Sequence, residues 1–174
     1  MTTVSMTRFT EIVQSEESAS VERQRPSWDE YFMQLAEDVS KRSPDPHTQH
    51  GCVLVDRDNR VISTGYNGPV KGLPHGLVPL TRPEKYAWFI HAEDNAVSFA
   101  RCDLTGATAY VTGPPCSSCM RRLLQVGVSR IVYGDRQSAC VDQNEKDACR
   151  IMAESLEVEI KIMEWPLTQG AYED

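Results

Sequence analysis

Two short clusters of side chains that can bind a metal ion lie in the second half of the chain. The first is a His-Ala-Glu run from His91 to Glu93, and the second is a Cys-x-x-Cys pair formed by Cys116 and Cys119. One histidine and two cysteines supply three ligands, which leaves the fourth position of a tetrahedral zinc open to water, as in catalytic sites. Glu93 adds a carboxylate that can take up and release protons beside that water. Because zinc lowers the pKa of bound water to about 7, these residues predict a hydrolytic zinc centre.

Both clusters are predicted to begin α-helices, one from His91 to about Cys102 and the other from Cys116 to about Val126. The positive end of a helix dipole lowers the pKa of thiols in the first turn, which favours metal binding by cysteine. Taken singly, a Cys-x-x-Cys pair is often half of a structural zinc site, and a His-Ala-Glu run is most often an ordinary helix start. Their occurrence together, each at a helix start with a strand between them, favours the catalytic interpretation.

Apolar periodicity predicts the elements that must position these clusters. Ser27 and Glu30 form a capping-box pattern at the start of a first helix that continues to Val39. Strands are predicted at residues 52–55 and 61–62, joined as a hairpin, and at 107–112, 130–133 and 157–163, with a further helix at 143–155. Since helices and strands alternate in the second half, we expect an α/β fold with a mostly parallel sheet and helices on both faces.

The composition limits the kinds of partner that the protein can have. The chain has 174 residues, a net charge of −7 and a pI of about 5.1. Nucleic-acid polymers are bound largely through Lys and Arg, so this charge argues against such a partner, whereas a small nucleotide needs only one or two local positive charges. No apolar stretch is long enough to cross a membrane, and the N-terminus lacks the pattern of a secretory signal. We therefore expect a cytoplasmic protein without a membrane partner.

Five motifs spread over residues 26–165 carry a resemblance to a known family. They are Trp28-Asp29-Glu30-Tyr31-Phe32-Met33, Ser40-Lys41-Arg42-Ser43, Thr64-Gly65-Tyr66-Asn67-Gly68, His91-Ala92-Glu93-Asp94-Asn95-Ala96 and Pro115-Cys116-Ser117-Ser118-Cys119. Through them the chain resembles the deoxycytidylate (dCMP) deaminase family of the cytidine-deaminase-like superfamily, whose zinc motif is typical of nucleobase deaminases. The resemblance implies a three-layer α/β/α fold with a five-stranded mixed sheet. It covers a domain at residues 26–165. Residues 1–25, rich in Ser, Thr and Glu and without sustained periodicity, are predicted to be a mobile tail, and residues 166–174 a C-terminal tail.

The resemblance further implies a reaction and its participants. The reaction is hydrolytic deamination of dCMP to dUMP and ammonia by a zinc-bound hydroxide, a supply step for thymidylate. Zinc would be held by His91, Cys116 and Cys119, with Glu93 as the proton shuttle. Members of the family are commonly homo-oligomers, and many respond to dCTP and dTTP. Here Pro69 directly follows the Gly-Tyr-Asn-Gly run, which departs from the usual spacing at the effector site.

Substrate contacts are implied at several further positions. Asn67 would hydrogen-bond the sugar, and the backbone around Ala92 would contact the base carbonyl. Phe99 and Arg101 stand where some relatives bind sugar and phosphate, although they could equally be a core aromatic and a solvated surface charge. Arg82 and Lys85, in the long loop before His91, are competing phosphate ligands. Tyr133 could line the base pocket or simply pack in the core.

Other activities share the zinc motif and stay open at this point. The substrate could be 5-methyl-dCMP, CMP, a free base or adenosine in tRNA, although the net charge of −7 disfavours tRNA. A zinc module that only binds a partner is the alternative of a different class. Such a module has no need of Glu93 or of an open coordination position, so the carboxylate favours an enzyme.

Overall fold

The computed structural model describes residues 25–136 and 142–164. The tails predicted at residues 1–25 and 166–174 therefore lie almost wholly outside the described residues. Within the described ranges, no helix has both the length and the apolar character needed to cross a bilayer.

The first helix, α1 (Trp28–Ser40), begins at the predicted capping box. The backbone N–H of Glu30 donates to Ser27 Oγ at 3.2 Å, and the N–H of Ser27 donates to Glu30 Oε2 at 2.7 Å. These reciprocal bonds satisfy amides that have no partner inside the helix. The buried face of α1 includes Phe32, Met33 and Ala36. The sequence prediction for this helix is confirmed.

The strands form a mixed sheet of five, in the order β2-β1-β5-β6-β7. Their bounds are β1 Gly51–Val55, β2 Val61–Tyr66, β5 Thr108–Val111, β6 Arg130–Gly134 and β7 Glu159–Met163. Strand β1 runs antiparallel to both β2 and β5, whereas β5, β6 and β7 are parallel to one another. The parallel half follows from the predicted alternation of helices and strands, since parallel neighbours need a crossover connection.

The described residues form three more helices: α2 (Ala92–Phe99), α3 (Ser117–Gln125) and α4 (Gln143–Ser155). Alternate residues of a strand point to opposite faces, so β1 divides its side chains between two cores. Val53 and Val55 pack with α1, whereas Cys52 and Leu54 pack in a core shared with α2, α3 and α4. The three-layer α/β/α architecture is confirmed, with α1 on one face and the other three helices on the opposite face.

Two segments differ from the sequence prediction. Helix α2 ends at Phe99 rather than near Cys102, because Ala100 adopts an extended conformation with φ −61° and ψ 137°. The sequence predicts a long loop from residue 67 to about 84, but this stretch and the residues after it contain short elements. These are 3₁₀ turns at His75–Leu77 and Glu84–Ala87, and a small antiparallel pair of β3 (Gly68–Pro69) and β4 (Phe89–Ile90). Elements of two to four residues carry too little periodicity to be recognised in a sequence.

A charged network joins α1 to the parallel half of the sheet. Asp29 accepts hydrogen bonds from Arg130 Nη1 at 2.7 Å, from Lys161 Nζ at 2.6 Å and from Tyr110 Oη at 2.9 Å. The hydrogen bond from Arg130 is the main reason that the pKa of Asp29 lies well below its ordinary value, although partial burial opposes the shift. The network therefore favours the ionised carboxylate and ties the first helix to three strands.

Replacing Asp29 by Asn should lower the free energy of unfolding at neutral pH by about 1.5–3 kcal/mol, the range for hydrogen bonds to charged groups. Because the folded-state pKa is depressed, this stabilisation is complete above the ordinary pKa of 3.8 and is lost as the pH falls through the folded-state value. The difference in the free energy of unfolding between wild type and Asp29→Asn should therefore become smaller at acidic pH. Urea unfolding followed by circular dichroism, at neutral pH and at several acidic values, measures it.

The matched control is Asp38→Asn. Asp38 lies on the same helix, but its carboxylate is exposed and pairs with Lys41 on the surface. Its replacement should change the free energy of unfolding by no more than about 0.5 kcal/mol. Equal effects of the two substitutions would contradict the stabilising role of the Asp29 network.

Candidate metal centre and substrate site

The three predicted metal ligands meet at two helix starts. His91 and Cys116 are the N-cap residues of α2 and α3, and Cys119 lies in the first turn of α3. The Nδ1 atom of His91 lies 3.5 Å from Cys116 Sγ and 3.3 Å from Cys119 Sγ, and all three ligand atoms lie within 4.8 Å of one another. Zn–S and Zn–N bonds at tetrahedral angles separate nitrogen from sulfur by about 3.6 Å. The donor atoms therefore fit a zinc ion.

The hydrogen bonds within this cluster favour a thiolate at Cys116. Hydrogen bonds from the Cys119 thiol and then from His91 lower the pKa of Cys116 to about 3. The bond to Cys116 raises the pKa of His91 to about 9, and donation to Cys116 together with burial raises the pKa of Cys119. Zinc binding displaces such protons, because the metal takes deprotonated cysteine and neutral histidine. A negative sulfur beside two further donors makes this an attractive position for a divalent cation.

Glu93 places a buried carboxylate next to the ligands. Its side chain is 5% exposed, and it lies in the first turn of α2, where it makes a hydrogen bond with Cys119. Burial raises the pKa of Glu93 to about 7, although a backbone hydrogen bond and the charge of His91 oppose the shift. A group that titrates near neutral pH both accepts and returns a proton readily. This placement suits the proton-transfer role that the family resemblance implies.

Strand β2 sets the position of α2, which carries two of these groups. A Cβ at Gly65 would overlap the carbonyl oxygen of Ala92 and the amide nitrogen of Ala96, so only glycine allows this approach. Ser63 Oγ donates to the Ala96 carbonyl at 2.7 Å, and Asn95 Nδ2 donates to the Tyr66 carbonyl at 2.7 Å. Both contacts hold the helix against the strand. The close approach of α2 therefore accounts for the glycine at position 65. The bond to Tyr66 gives Asn95, which belongs to the His-Ala-Glu motif, a structural role.

Asn67 lies between β2 and the loop that precedes β1. Its Oδ1 accepts from the N–H of His50 at 2.7 Å, and its Nδ2 donates to the carbonyl of Thr48 at 2.8 Å. The Asn67 carbonyl also accepts from Ser43 Oγ at 2.7 Å. These bonds fix the plane of the amide and use one of its two Nδ2 hydrogens. The contact of Asn67 with a sugar stays a prediction. The second Nδ2 hydrogen would make that contact.

The two basic residues of the long loop have different surroundings. Lys85 is 3% exposed, and its ammonium forms a buried ion pair with Asp45, which is 2% exposed. Taking Lys85 away from this partner would leave a buried carboxylate unpaired, which is costly, so the pair disfavours Lys85 as a phosphate ligand. Arg82 is exposed and donates from Nη2 to Thr48 Oγ1, on the residue whose carbonyl holds Asn67. Neither contact can be predicted from a local sequence pattern, because Lys85 and Asp45 are 40 residues apart and Arg82 and Thr48 are 34 residues apart.

The remaining predicted contacts lie at different places in the fold. Ala92 is buried at the start of α2, one residue from His91. Phe99 lies at the other end of α2, about 10 Å along the helix axis from Ala92, with Arg101 just beyond. Phe99 is 45% exposed, which contradicts the alternative of a core aromatic, and Lys71 Nζ lies 5.8 Å from its ring. Tyr133, half-buried on β6, packs against the core and borders a groove beside α4. Their contacts with substrate stay predictions.

Comparison with known proteins agrees with this site. A family model described as the cytidine and deoxycytidylate deaminase zinc-binding region matches residues 26–135. An uncharacterized deaminase of Aliivibrio fischeri is 39% identical over 104 residues, which cover 60% of this chain and 70% of that protein. The deoxycytidylate deaminase of Homo sapiens is 32% identical over 133 residues, which cover 72% of this chain and 73% of the human protein.

A solved structure shows the same fold. The dCMP deaminase of cyanophage S-TIM5, crystallised with dCMP and dUMP, superposes with a TM-score of 0.63 at 23% identity, covering 80% of this chain and 99% of the phage chain. The chain belongs to the cytidine and deoxycytidylate deaminase family. It is a zinc-dependent deaminase, as the family motif and the clustered His91, Cys116 and Cys119 indicate.

Replacing Gly65 by Ala should push α2 away from β2 and draw His91 away from the two cysteines. Such overpacking costs about 1–3 kcal/mol of stability, and we expect less than full zinc occupancy together with reduced activity. Atomic absorption on the purified protein gives the zinc content, and thermal unfolding gives the stability. Gly76→Ala is the matched control, because a Cβ there meets no atom within 4 Å. A Gly65→Ala protein with unchanged zinc content and stability would disprove this packing constraint.

Proposed function

We propose that this protein deaminates dCMP to dUMP and ammonia. The observation that carries the proposal is its similarity to proteins named deoxycytidylate deaminase, at 32% identity over 133 residues for the human protein and 36% over 123 residues for that of Mycobacterium phage D29. The buried carboxylate beside the three clustered metal ligands supplies the groups that this reaction needs. The dUMP formed is the material from which thymidylate is made.

In this proposal His91 Nδ1 and the sulfur atoms of Cys116 and Cys119 hold the zinc. When bound, zinc supplies a Lewis acid that makes water nucleophilic at neutral pH. Glu93 accepts the proton that the attacking water loses, delivers it to a ring nitrogen of cytosine and assists the departure of ammonia. Its burial and its pKa of about 7 support this role, because the carboxylate changes protonation state readily at neutral pH.

The nucleotide is proposed to lie between the metal centre and the loop at residues 43–50. Asn67 would donate its second Nδ2 hydrogen to the sugar, and the backbone at Ala92 would bond the base carbonyl. We assign the phosphate to Arg82 rather than to Arg101. The Arg82 guanidinium is bonded to Thr48, the same residue that holds Asn67, whereas Arg101 follows the far end of α2. An exposed guanidinium is well suited to phosphate, which it can bind through two parallel hydrogen bonds.

The family resemblance also supports proposals about assembly and regulation. We expect a cytoplasmic homo-oligomer whose activity responds to dCTP and dTTP. Gly68 and Pro69 form β3, which pairs with β4, and β4 ends directly before His91. We propose that an effector bound near Pro69 would act on the metal centre through this pair of strands. Measuring activity with and without dCTP tests this link.

Replacing Glu93 by Gln should lower kcat for dCMP by about 10²–10⁴-fold, the usual contribution of a general acid–base group. The zinc content should stay at one ion per chain, because Gln keeps the size of the side chain and Glu93 is not a proposed ligand. Glu84→Gln is the control, since Glu84 is exposed and accepts a hydrogen bond from the nearby Thr81 hydroxyl. Turnover that survives in Glu93→Gln would point to a different proton carrier. A wild-type protein that binds zinc and a partner without any turnover would favour the binding-module alternative.

Ammonia release should be seen with dCMP and not with deoxycytidine or cytosine, because the proposed site needs the phosphate. CMP and 5-methyl-dCMP, assayed in parallel, define the tolerance for the 2′-hydroxyl and for a substituent on the ring.

Replacing Arg82 by Gln should lower kcat/KM for dCMP by about 10–100-fold, which corresponds to one lost charged hydrogen bond, and Arg101→Gln should leave it unchanged. A loss of kcat/KM in Arg101→Gln but not in Arg82→Gln would instead assign the phosphate to Arg101, beyond the end of α2. The absence of ammonia release with every cytosine substrate would overturn the proposed function.

A further inference from the structure

The helix that carries both cysteine ligands begins without a cap of its own. Cys116 occupies the N-cap position of α3, and its side chain makes no capping hydrogen bond. In most helices a Ser, Thr, Asp or Asn at this position accepts hydrogen bonds from the first-turn amides. A sulfur atom committed to the metal cluster cannot do so, which means that the start of α3 needs an acceptor from elsewhere in the fold.

Glu145, on helix α4, provides that acceptor. Its Oε2 accepts from the backbone N–H of Ser117 at 2.8 Å, and its Oε1 accepts from Ser117 Oγ at 2.9 Å. Both oxygens are engaged, so the carboxylate fixes the orientation of the residue that directly follows Cys116. Hydrogen bonds to an ionised carboxylate are stronger than neutral ones, and a negative charge is favourable at a helix N-terminus.

Helix α4 supports Cys116 from both sides. Cys149 Sγ donates a weak hydrogen bond to the carbonyl of Pro115 at 3.9 Å, and Glu145 holds Ser117. Glu145 and Cys149 are four residues apart, so they lie on one face of α4. Glu145 is itself held, because its backbone N–H donates to Asp142 Oδ1, the N-cap of α4, at 2.8 Å. The backbone on each side of the first cysteine ligand is thus bonded to a single helix.

We propose that Glu145 is a positioning residue of the metal centre. It holds the start of α3 so that the sulfur atoms of Cys116 and Cys119 meet Nδ1 of His91, and it thereby sets zinc affinity and ligand geometry. The inference rests on the ligand roles proposed above for these three residues, and it holds whichever cytosine derivative is the substrate. Partners that orient metal ligands typically change metal affinity by about 10–100-fold when they are removed.

The test compares three substitutions on α4 in the full-length protein. Zinc affinity is measured by competition with a chromophoric chelator, and ligand geometry by the absorption spectrum of the cobalt(II)-substituted protein. Glu145→Ala should weaken zinc binding by about 10–100-fold and shift the cobalt bands. Glu145→Gln keeps an acceptor oxygen for Ser117 and should restore most of the affinity. Glu154→Ala is the matched control, because Glu154 is exposed and pairs within α4, with Arg150 at 3.0 Å.

A folded Glu145→Ala protein with wild-type zinc affinity and an unchanged cobalt spectrum would overturn the inference. If that variant does not fold, Ser117→Ala serves in its place, because it removes only the hydroxyl bond and should give a smaller loss of affinity. Full affinity in Ser117→Ala and in Glu145→Gln together would then overturn it. Cys116→Ala separates the two proposals, since full zinc retention there would refute the ligand set itself. A substrate other than dCMP would leave all of these metal measurements unchanged.

Discussion

The convergence of two helix N-termini on one point is the constraint on which the rest of this structure depends. His91 and Cys116 are 25 residues apart, yet their ligand atoms lie 3.5 Å from each other. Each helix start must therefore be placed to within a fraction of an ångström by contacts outside the helix. For α2 these contacts come from β2, through the close approach at Gly65. For α3 they come from α4, through Glu145.

Among the described residues, the buried charged side chains are Asp45, Lys85 and Glu93, and burying charge is costly unless it is paired. Asp45 and Lys85 compensate each other and join the loop before β1 to the turn before β4. For Glu93, burial raises the pKa to about 7, and the charge of His91 opposes this shift only in part. The contrast supports the proposed role of Glu93. A carboxylate in a close ion pair is held in one charge state, whereas a carboxylate with a pKa near neutral can exchange protons.

The net charge of the chain and the charge of the exposed Arg82 have opposite signs. The chain carries a net charge of −7, which opposes the approach of a long polyanion. A mononucleotide needs only one well-placed cation, and Arg82 is exposed next to the loop that holds Asn67. The proposed phosphate contact at Arg82 therefore agrees better with a small phosphorylated substrate than with a nucleic-acid polymer.

The sequence by itself determined the features that depend on neighbouring residues. The capping box at Ser27, the helix start at His91 and the Cys-x-x-Cys helix each reflect contacts within one or two turns, so residue type and spacing were sufficient to predict them. The alternation of helices and strands likewise predicted the α/β class, since it reflects which faces of each element are buried. The candidate ligand set and the adjacent carboxylate followed from these local patterns.

Only the tertiary structure decided which distant groups meet. The antiparallel pairing of β1 with β5, the burial of Lys85 on Asp45, the contact of Arg82 with Thr48 and the support of α3 by Glu145 all join segments far apart in the chain. A charged residue has the same local sequence signature whether it is solvated, paired or capping a helix. Its role depends on the partner that the fold brings within hydrogen-bonding distance, and that partner is set by the packing of whole layers.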